Sequence, residues 1–113
     1  MPTTETNFQL DNDSQPWMQV AEGMRRQVLA YDSQMMLVRV AFEQGGIGAL
    51  HHHVHTQITY VESGVFKATV GEETWVMRPG DVFYAPSNVW HSVECLEAGM
   101  LVDTFSPMRE DFI

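Results

Sequence analysis

Basic residues are scarce in this sequence, and their shortage excludes several classes of partner. The 113 residues include 6 Lys and Arg against 15 Asp and Glu, which gives a formal net charge of −9 at pH 7. A chain this acidic has no general basic field that would attract nucleic acid or an anionic membrane. We therefore predict a protein that binds neither nucleic acid nor membranes.

Cysteine and long apolar runs are lacking as well. Cys95 is the single cysteine, so no internal disulfide can form. No apolar run approaches the roughly 20 residues that a membrane-spanning helix needs. The first residues carry Glu5, Asp11 and Asp13 and have neither the basic nor the apolar part of a signal peptide. These absences predict a cytoplasmic protein.

The length fits one domain with a single core. Few large apolar side chains occur over residues 1–16, which predicts an N-terminal arm that is mobile or docked on a partner. The remaining residues, 17–113, are predicted to form the one globular domain.

Short apolar runs separated by turn residues dominate that domain. Turn chemistry recurs between the runs, as at Gly45-Gly46 and Pro79-Gly80. Because no apolar stripe keeps the helical period over three turns, the pattern predicts an all-β antiparallel sandwich or barrel. One helical turn is predicted over residues 108–111, after Ser106-Pro107. Strands are predicted at residues 26–30, 35–42, 50–53, 57–63, 65–70, 74–77, 82–85, 91–95 and 100–105.

Four of the five histidines stand together in the most informative segment of the chain. Residues two apart on a strand face the same side, so His51 and His53 can reach one ion while His52 points away. A turn would then return Gln57 as a third donor, and His91 is the one histidine elsewhere. Three imidazoles and one amide oxygen suit a divalent ion such as Mn, Fe, Co, Ni or Zn.

Two other interpretations of the histidine run stay open. The pair could be His53 and His55 rather than His51 and His53, although Gln57 would then lose its place four residues after the second histidine. The run could also be a solvated loop or an adventitious metal trap.

Two spacings in the chain resemble the two sequence motifs of the cupins. The first spacing joins Gly45, His51, His53, Gln57 and Gly64, with Gln where the common pattern has Glu. It covers the predicted metal ligands of the histidine run.

The second spacing resembles the second cupin motif and joins Pro79-Gly80-Asp81, Pro86, Asn88 and His91. Asn88 replaces a Gly, a mild departure because Asn tolerates left-handed backbone angles. Cys95 stands where the pattern ends in Asn, a position that is not a ligand. The resemblance implies a cupin double-stranded β-helix, a conical jelly-roll-like barrel with the metal inside.

The C-terminal residues narrow the resemblance to the small KdgF-type cupins of pectin and alginate degradation. Those proteins share this chain length, the Gln ligand and an Asp-x-Phe-x3-Arg signature, which falls here on Asp103, Phe105 and Arg109. The resemblance implies metal-dependent ring opening and ketonisation of 4,5-unsaturated monouronates to linear keto acids. It also implies one divalent transition metal ion as cofactor, a small anionic sugar as substrate and a homodimer.

Within this resemblance the three signature residues take separate roles. Asp103 is expected to be the general acid/base, because it shares a strand face with Leu101 and Phe105 that otherwise resembles core. Arg109 offers a planar guanidinium suited to a uronate carboxylate. Phe105 is expected to wall the sugar face of the pocket.

Each role has an alternative from the residues alone. Asp103 could face water or pair with Arg109, and Phe105 could simply pack in the core. Arg109 could instead pair with one of the two acidic residues that follow it. Arg39 could enter the pocket as a second anion contact, or it could extend along its strand face to solvent.

Two rival functions share the same histidines. One is a metal-dependent cupin dioxygenase, which would consume oxygen, and the other is a non-catalytic sugar- or anion-binding module. The neutral Gln57 leaves the full charge on a divalent ion, which favours anion binding and disfavours higher iron oxidation states. The residues therefore favour the uronate reaction over oxygen chemistry.

Overall fold

The described part of the chain consists of eight β-strands in antiparallel pairs. A computed structural model describes residues 8–11 and 15–113, so most of the predicted arm lies outside the described residues. The strands are β1 (Trp17–Ala21), β2 (Met24–Tyr31), β3 (Met36–Phe42), β4 (Ile47–His51), β5 (Thr56–Val70), β6 (Glu73–Met77), β7 (Val82–Ala85) and β8 (His91–Ser106). This arrangement confirms the predicted all-β class.

Two long strands, β5 and β8, connect the two layers of the barrel. The first half of β5 pairs with β7 and with the second half of β8, whereas its second half pairs with β6 and with the first half of β8. The first half of β8 also pairs with β4, and its second half pairs with β3. Each long strand therefore contributes residues to both layers, and side chains from both can meet inside.

Glycine is required where β5 passes between the layers. Gly64 has a φ of +83°, and a Cβ at this position would lie 2.6 Å from the carbonyl oxygen of Glu97. No side chain fits at that distance, and L-residues avoid that backbone angle. The last glycine of the first motif is thus a packing requirement of the strand crossing.

Alternation along β3 shows how the sequence builds the core. Met36, Val38, Val40 and Phe42 are buried, whereas Leu37 between them is exposed. Fully burying such a side chain stabilises the fold by about 1.5–3 kcal/mol. The inward row of β3 therefore faces the same interior as the inward residues of β2 and β8.

Several predicted strand boundaries were wrong. The predicted strands 57–63 and 65–70 are one strand, because the turn chemistry at Ser63-Gly64 produces a bulge in β5 rather than a hairpin. The predictions for residues 91–95 and 100–105 merge in the same way into β8. The edge strand β1 was not predicted, since its residues are half-buried or exposed and carry no core pattern.

The C-terminal helical turn lies later than predicted. A 3₁₀ turn spans Glu110–Phe112, and Arg109 before it is extended. The Ser106 hydroxyl does not cap a helix because it donates to the carbonyl of Gln34 at 2.8 Å. Within residues 8–11 and 15–113, no helix is long and apolar enough to cross a bilayer.

An apolar surface covers the outer side of two paired strands. Ile58 and Tyr60 of β5 lie opposite Tyr84 and Val82 of β7, and all four are exposed. The homodimer implied by the family resemblance stays a prediction.

Candidate active site

Three histidines converge at the end of strand β4. One ring nitrogen from each of His51, His53 and His91 lies within 4.8 Å of the others. His51 ends β4 and pairs with His91, the first residue of β8. His53 follows in the turn, where its carbonyl accepts a hydrogen bond from the Asn88 N–H at 2.7 Å. Asn88 has a φ of 64°, which explains why Asn is tolerated in place of Gly.

Backbone carbonyls set the orientation of the three rings. The Nδ1 atoms of His51, His53 and His91 donate to the carbonyls of Ala49 at 2.6 Å, His55 at 2.9 Å and Val89 at 2.9 Å. A carbonyl can only accept, so Nδ1 carries the proton and Nε2 of a neutral ring keeps a lone pair. Proteins commonly orient metal-ligating histidines in this way.

Gln57 brings an oxygen to the same point. Its Oε1 lies 3.0 Å from Nε2 of His53 and 3.1 Å from Nε2 of His91. Two ligands bound at about 2.1 Å and at a right angle on one ion would be about 3.0 Å apart. Burial lowers the pKa of His91 to about 4 and also lowers the pKa of His53. Neutral rings thus direct lone pairs at the same region as the amide oxygen, and a divalent cation fits these donors.

The four predicted ligands therefore meet, although not as the strand periodicity suggested. His53 lies beyond the end of β4, and the turn rather than a shared strand brings it beside His51. His52 points elsewhere, with its ring centroid 4.4 Å from that of Trp90. Among the described residues, the histidine group does not include His55.

Asp103 lies beside Gln57 on the neighbouring strand. Its Oδ1 accepts hydrogen bonds from the Thr59 hydroxyl at 2.6 Å and from Gln57 Nε2 at 3.3 Å. Burial raises the pKa of Asp103 to about 6, although these two hydrogen bonds and Arg109 act in the opposite direction. The carboxyl group thus faces the interior rather than water, and it can hold or release a proton near neutral pH.

One cavity of about 90 Å³ joins these groups. Its walls combine apolar side chains with three of the four metal donors, the buried carboxyl group and two guanidiniums. It is lined by Met24, Arg26, Val40, Phe42, Gly48, His51, Gln57, Phe83, His91, Ser92, Val93, Leu101, Asp103, Phe105, Arg109 and Phe112. The cavity therefore brings a Lewis-acid site, a proton carrier and positive charge within reach of one small molecule.

The two other signature residues both line the cavity. Phe105 is buried in the core and also contacts the His53 ring edge-on at 5.8 Å, so its two predicted roles are compatible. Arg109 lies at the cavity, but its Nε and Nη2 donate to the two oxygens of Asp111 at 3.1 and 2.9 Å. The alternative pair with a following acidic residue is thus present in this structure.

Of the two alternatives for Arg39, the structure shows the one in which the side chain extends along its strand face toward solvent. Arg39 donates to Glu62 at 3.1 Å and does not line the cavity. It alternates with the buried Val38 and Val40, so its side chain belongs to the outer face of β3. Arg26 pairs with Val40 across β2 and β3 and does line the cavity. The strand period could have linked Arg26 to Val28, but the inward face was not evident from the sequence.

Thr59 is a positioning residue that sequence analysis did not identify. It is fully buried, and its hydroxyl accepts from Gln57 Nε2 at 2.8 Å while it donates to Asp103. We expect Thr59→Val to lower kcat about tenfold, since it removes a hydrogen bond to the carboxylate without changing the volume much. Thr59→Ser keeps the hydroxyl and should restore most of the rate. Equal rates for the two variants in steady-state assays would contradict this role.

Comparisons with known proteins place the chain in a family. The family model described as a cupin domain matches residues 38–104. The pectin degradation protein KdgF of Dickeya dadantii (strain 3937) is 38% identical over 104 residues, covering 90% of this chain and 94% of that protein. This chain is a cupin of the KdgF type.

Solved structures agree with this assignment. KdgF from Halomonas sp. superposes on this KdgF-type cupin with a TM-score of 0.88 and 35% identity, covering 92% of this chain and 96% of that one. An RmlC-like cupin from Shewanella frigidimarina NCIMB 400 gives a TM-score of 0.88 and 36% identity, covering 91% and 93%. The predicted cupin barrel is confirmed, and three histidines of this KdgF-type cupin are positioned to hold a metal ion. The ion's identity and the individual roles of the site residues stay predictions.

Proposed function

We propose that this cupin is a metal-dependent enzyme that opens and ketonises 4,5-unsaturated monouronates to linear keto acids. The observation that carries the proposal is one cavity lined by three of the four metal donors, a buried carboxyl group and two guanidiniums, with the fourth donor, His53, grouped with His51 and His91. The similarity to a pectin degradation protein supports a pectin-derived uronate as the substrate class.

The proposed reaction is an isomerisation that needs one proton carrier. The substrate is a cyclic hemiacetal with a double bond between C4 and C5, beside its carboxylate. The C1 hydroxyl loses a proton, the bond between C1 and the ring oxygen breaks, and a proton is added at C4. The products are an aldehyde at C1 and a ketone at C5, so no oxidant or other co-reactant is consumed.

The residues that line the cavity have separate roles in this reaction. Asp103 takes the proton from the C1 hydroxyl and delivers a proton to C4, while Thr59 and Gln57 hold its Oδ1 in place. Arg109 supplies positive charge for the substrate carboxylate, and Phe105 forms the wall beside the sugar.

The metal site lies on the oxygen side of the Gln57 amide, whereas Asp103 lies on its nitrogen side. His51, His53, Gln57 and His91 would hold a divalent transition metal ion. When bound, such an ion supplies Lewis-acid polarisation of a substrate oxygen.

The amide of Gln57 serves two sides of the site at once. Its oxygen faces the histidines, and its nitrogen donates to Thr59 and Asp103. Gln57→Glu would place a negative charge beside Asp103 and reduce the positive charge at the metal site. We expect KM to rise about tenfold, because a site with less positive charge attracts the substrate carboxylate less strongly. The exposed Gln44→Glu makes the same charge change and should leave KM unaltered, whereas a lower KM for Gln57→Glu would contradict this account.

The decisive assay follows the conjugated C4=C5 acid by its ultraviolet absorbance. Metal-loaded protein should remove the chromophore of unsaturated galacturonate faster than it disappears spontaneously, without consuming oxygen. No acceleration by metal-loaded protein would refute the proposed reaction. Oxygen uptake with the same substrate would favour a cupin dioxygenase instead.

A further inference from the structure

Arg26 presents a half-buried guanidinium to the cavity. It lies on β2 opposite the buried Val40, and it lines the cavity together with Asp103 and Arg109. Its Cζ lies 3.6 Å from the ring centroid of Phe112, which holds the guanidinium against an aromatic face. Stacking of this kind leaves the N–H donors at the edge of the group available for hydrogen bonds.

Within residues 8–11 and 15–113, Arg26 has neither an ion pair nor a hydrogen bond through its guanidinium. Arg109, in contrast, is held by Asp111 through two hydrogen bonds, and Arg39 is paired with Glu62. Asp111 is thus already engaged and acts on Arg26 only through space, while burial lowers the pKa of Arg26. Of the two arginines that line the cavity, Arg26 is therefore the one whose guanidinium forms no hydrogen bond to another described residue.

A half-buried cation without a partner is costly unless a ligand supplies the opposite charge. Among the residues that the structure describes, no carboxylate forms an ion pair with Arg26. The planar fork of an arginine matches the two oxygens of a carboxylate. The position of Arg26 in the cavity of Asp103 therefore suits the carboxylate of a small anionic ligand.

We propose that Arg26 is a substrate-binding residue whose guanidinium provides the main hydrogen bonds to the uronate carboxylate. Arg109, held by Asp111, adds positive charge and its remaining donors. The Phe112 ring packs against the Arg26 guanidinium. The identity of the ligand as a uronate rests on the proposed function, whereas the anion site itself rests on the cavity geometry.

Arg25 offers a matched control on the same strand. It is exposed, with its Cζ 5.1 Å from the Trp17 ring, and it does not line the cavity. Arg25→Gln and Arg26→Gln change the net charge equally, so a difference between them reports on the cavity alone. Arg26→Lys keeps the charge and loses the fork.

We expect Arg26→Gln to raise KM for unsaturated galacturonate by about 10- to 100-fold, the range for a lost charged hydrogen bond. The kcat should change far less, because loss of a contact that is equally strong in the ground state and the transition state raises KM and leaves kcat unchanged. Arg26→Lys should give an intermediate KM, and Arg25→Gln should match the unaltered protein. Melting curves for all variants identify any loss of fold.

A second readout separates this proposal from the proposed function. Saturated galacturonate keeps the carboxylate but lacks the double bond, and galactose lacks both charge and double bond. By calorimetry, Arg26→Gln should weaken galacturonate binding to the same extent as KM and leave galactose binding unchanged. Galacturonate binding that depends on Arg26, in a protein that does not turn over unsaturated uronates, would support the anion site and refute the reaction.

The opposite outcome overturns the role of Arg26. If the protein is active and folded Arg26→Gln has the KM and galacturonate affinity of Arg25→Gln, Arg26 does not bind the carboxylate. If Arg26→Gln does not fold, an unchanged KM in Arg26→Lys leads to the same conclusion. A protein that neither binds galacturonate nor converts the unsaturated sugar refutes both proposals.

Discussion

Asp103→Asn is expected to lower kcat by about 100-fold or more while the fold and the metal content are retained. The amide is close in size to the carboxyl group, and its oxygen can still accept from the Thr59 hydroxyl and from Gln57 Nε2. It cannot, however, take up and release a proton. The loss should therefore appear in the chemical step and not in stability or metal binding.

Three measurements on the Asp103→Asn protein check this expectation. Single-turnover loss of the substrate chromophore reports the chemical step, metal analysis reports the ion, and a melting curve reports the fold. Asp81→Asn is a suitable control, because this exposed side chain lies in a turn where it accepts a hydrogen bond from the Arg78 N–H. A wild-type chemical rate in Asp103→Asn would remove Asp103 from the mechanism.

Removal of the metal ion is expected to reduce the rate to the spontaneous one. Without a cation, Gln57 Oε1 and the Nε2 lone pairs of His53 and His91 face one another at close range. An ion bound to the folded state alone also stabilises it, by about 2.7 kcal/mol at a free concentration 100 times its Kd. Chelation should thus lower both activity and melting temperature, and adding back one divalent ion per chain should restore both.

The histidine run contains its own control for the metal prediction. His53→Ala should lose the ion and the activity, whereas His52→Ala should keep both, because the His52 ring packs against Trp90 instead. Metal analysis after dialysis and the chromophore assay measure the two effects. Full activity in a chain shown to be free of metal would contradict a metal-dependent reaction.

Much of the fold was predictable because its signals are local. Short apolar runs between turn residues indicated the strands, and the left-handed backbone at Asn88 agrees with the tolerance expected of that residue. The boundaries near Gly64 were not predictable, since a glycine in a bulge and a glycine in a hairpin have the same sequence signature. Whether the chain reverses or continues there depends on β8, a partner distant in sequence.

The same distinction, between local signals and contacts distant in sequence, applies to the residues of the candidate site. The donors His51, His53 and Gln57 are close in sequence, so their spacing predicted side chains that the structure does bring together, even though His53 lies in a turn. Thr59 and Arg26 carry no such signal. Each becomes part of the site only through pairing, Thr59 with Asp103 and Arg26 with Val40.

The sequence by itself determined an acidic all-β chain, a set of metal donors at family spacing and an acidic residue on a core face. These are properties of composition and of short separations along the chain, where side-chain direction follows the local backbone. Only the tertiary structure decided which arginines line the cavity, that Asp111 occupies Arg109, and that Thr59 holds Asp103. Those relations depend on the strand register, on which face of each strand is buried, and on how the C-terminal segment packs. All three are determined by contacts between distant parts of the chain.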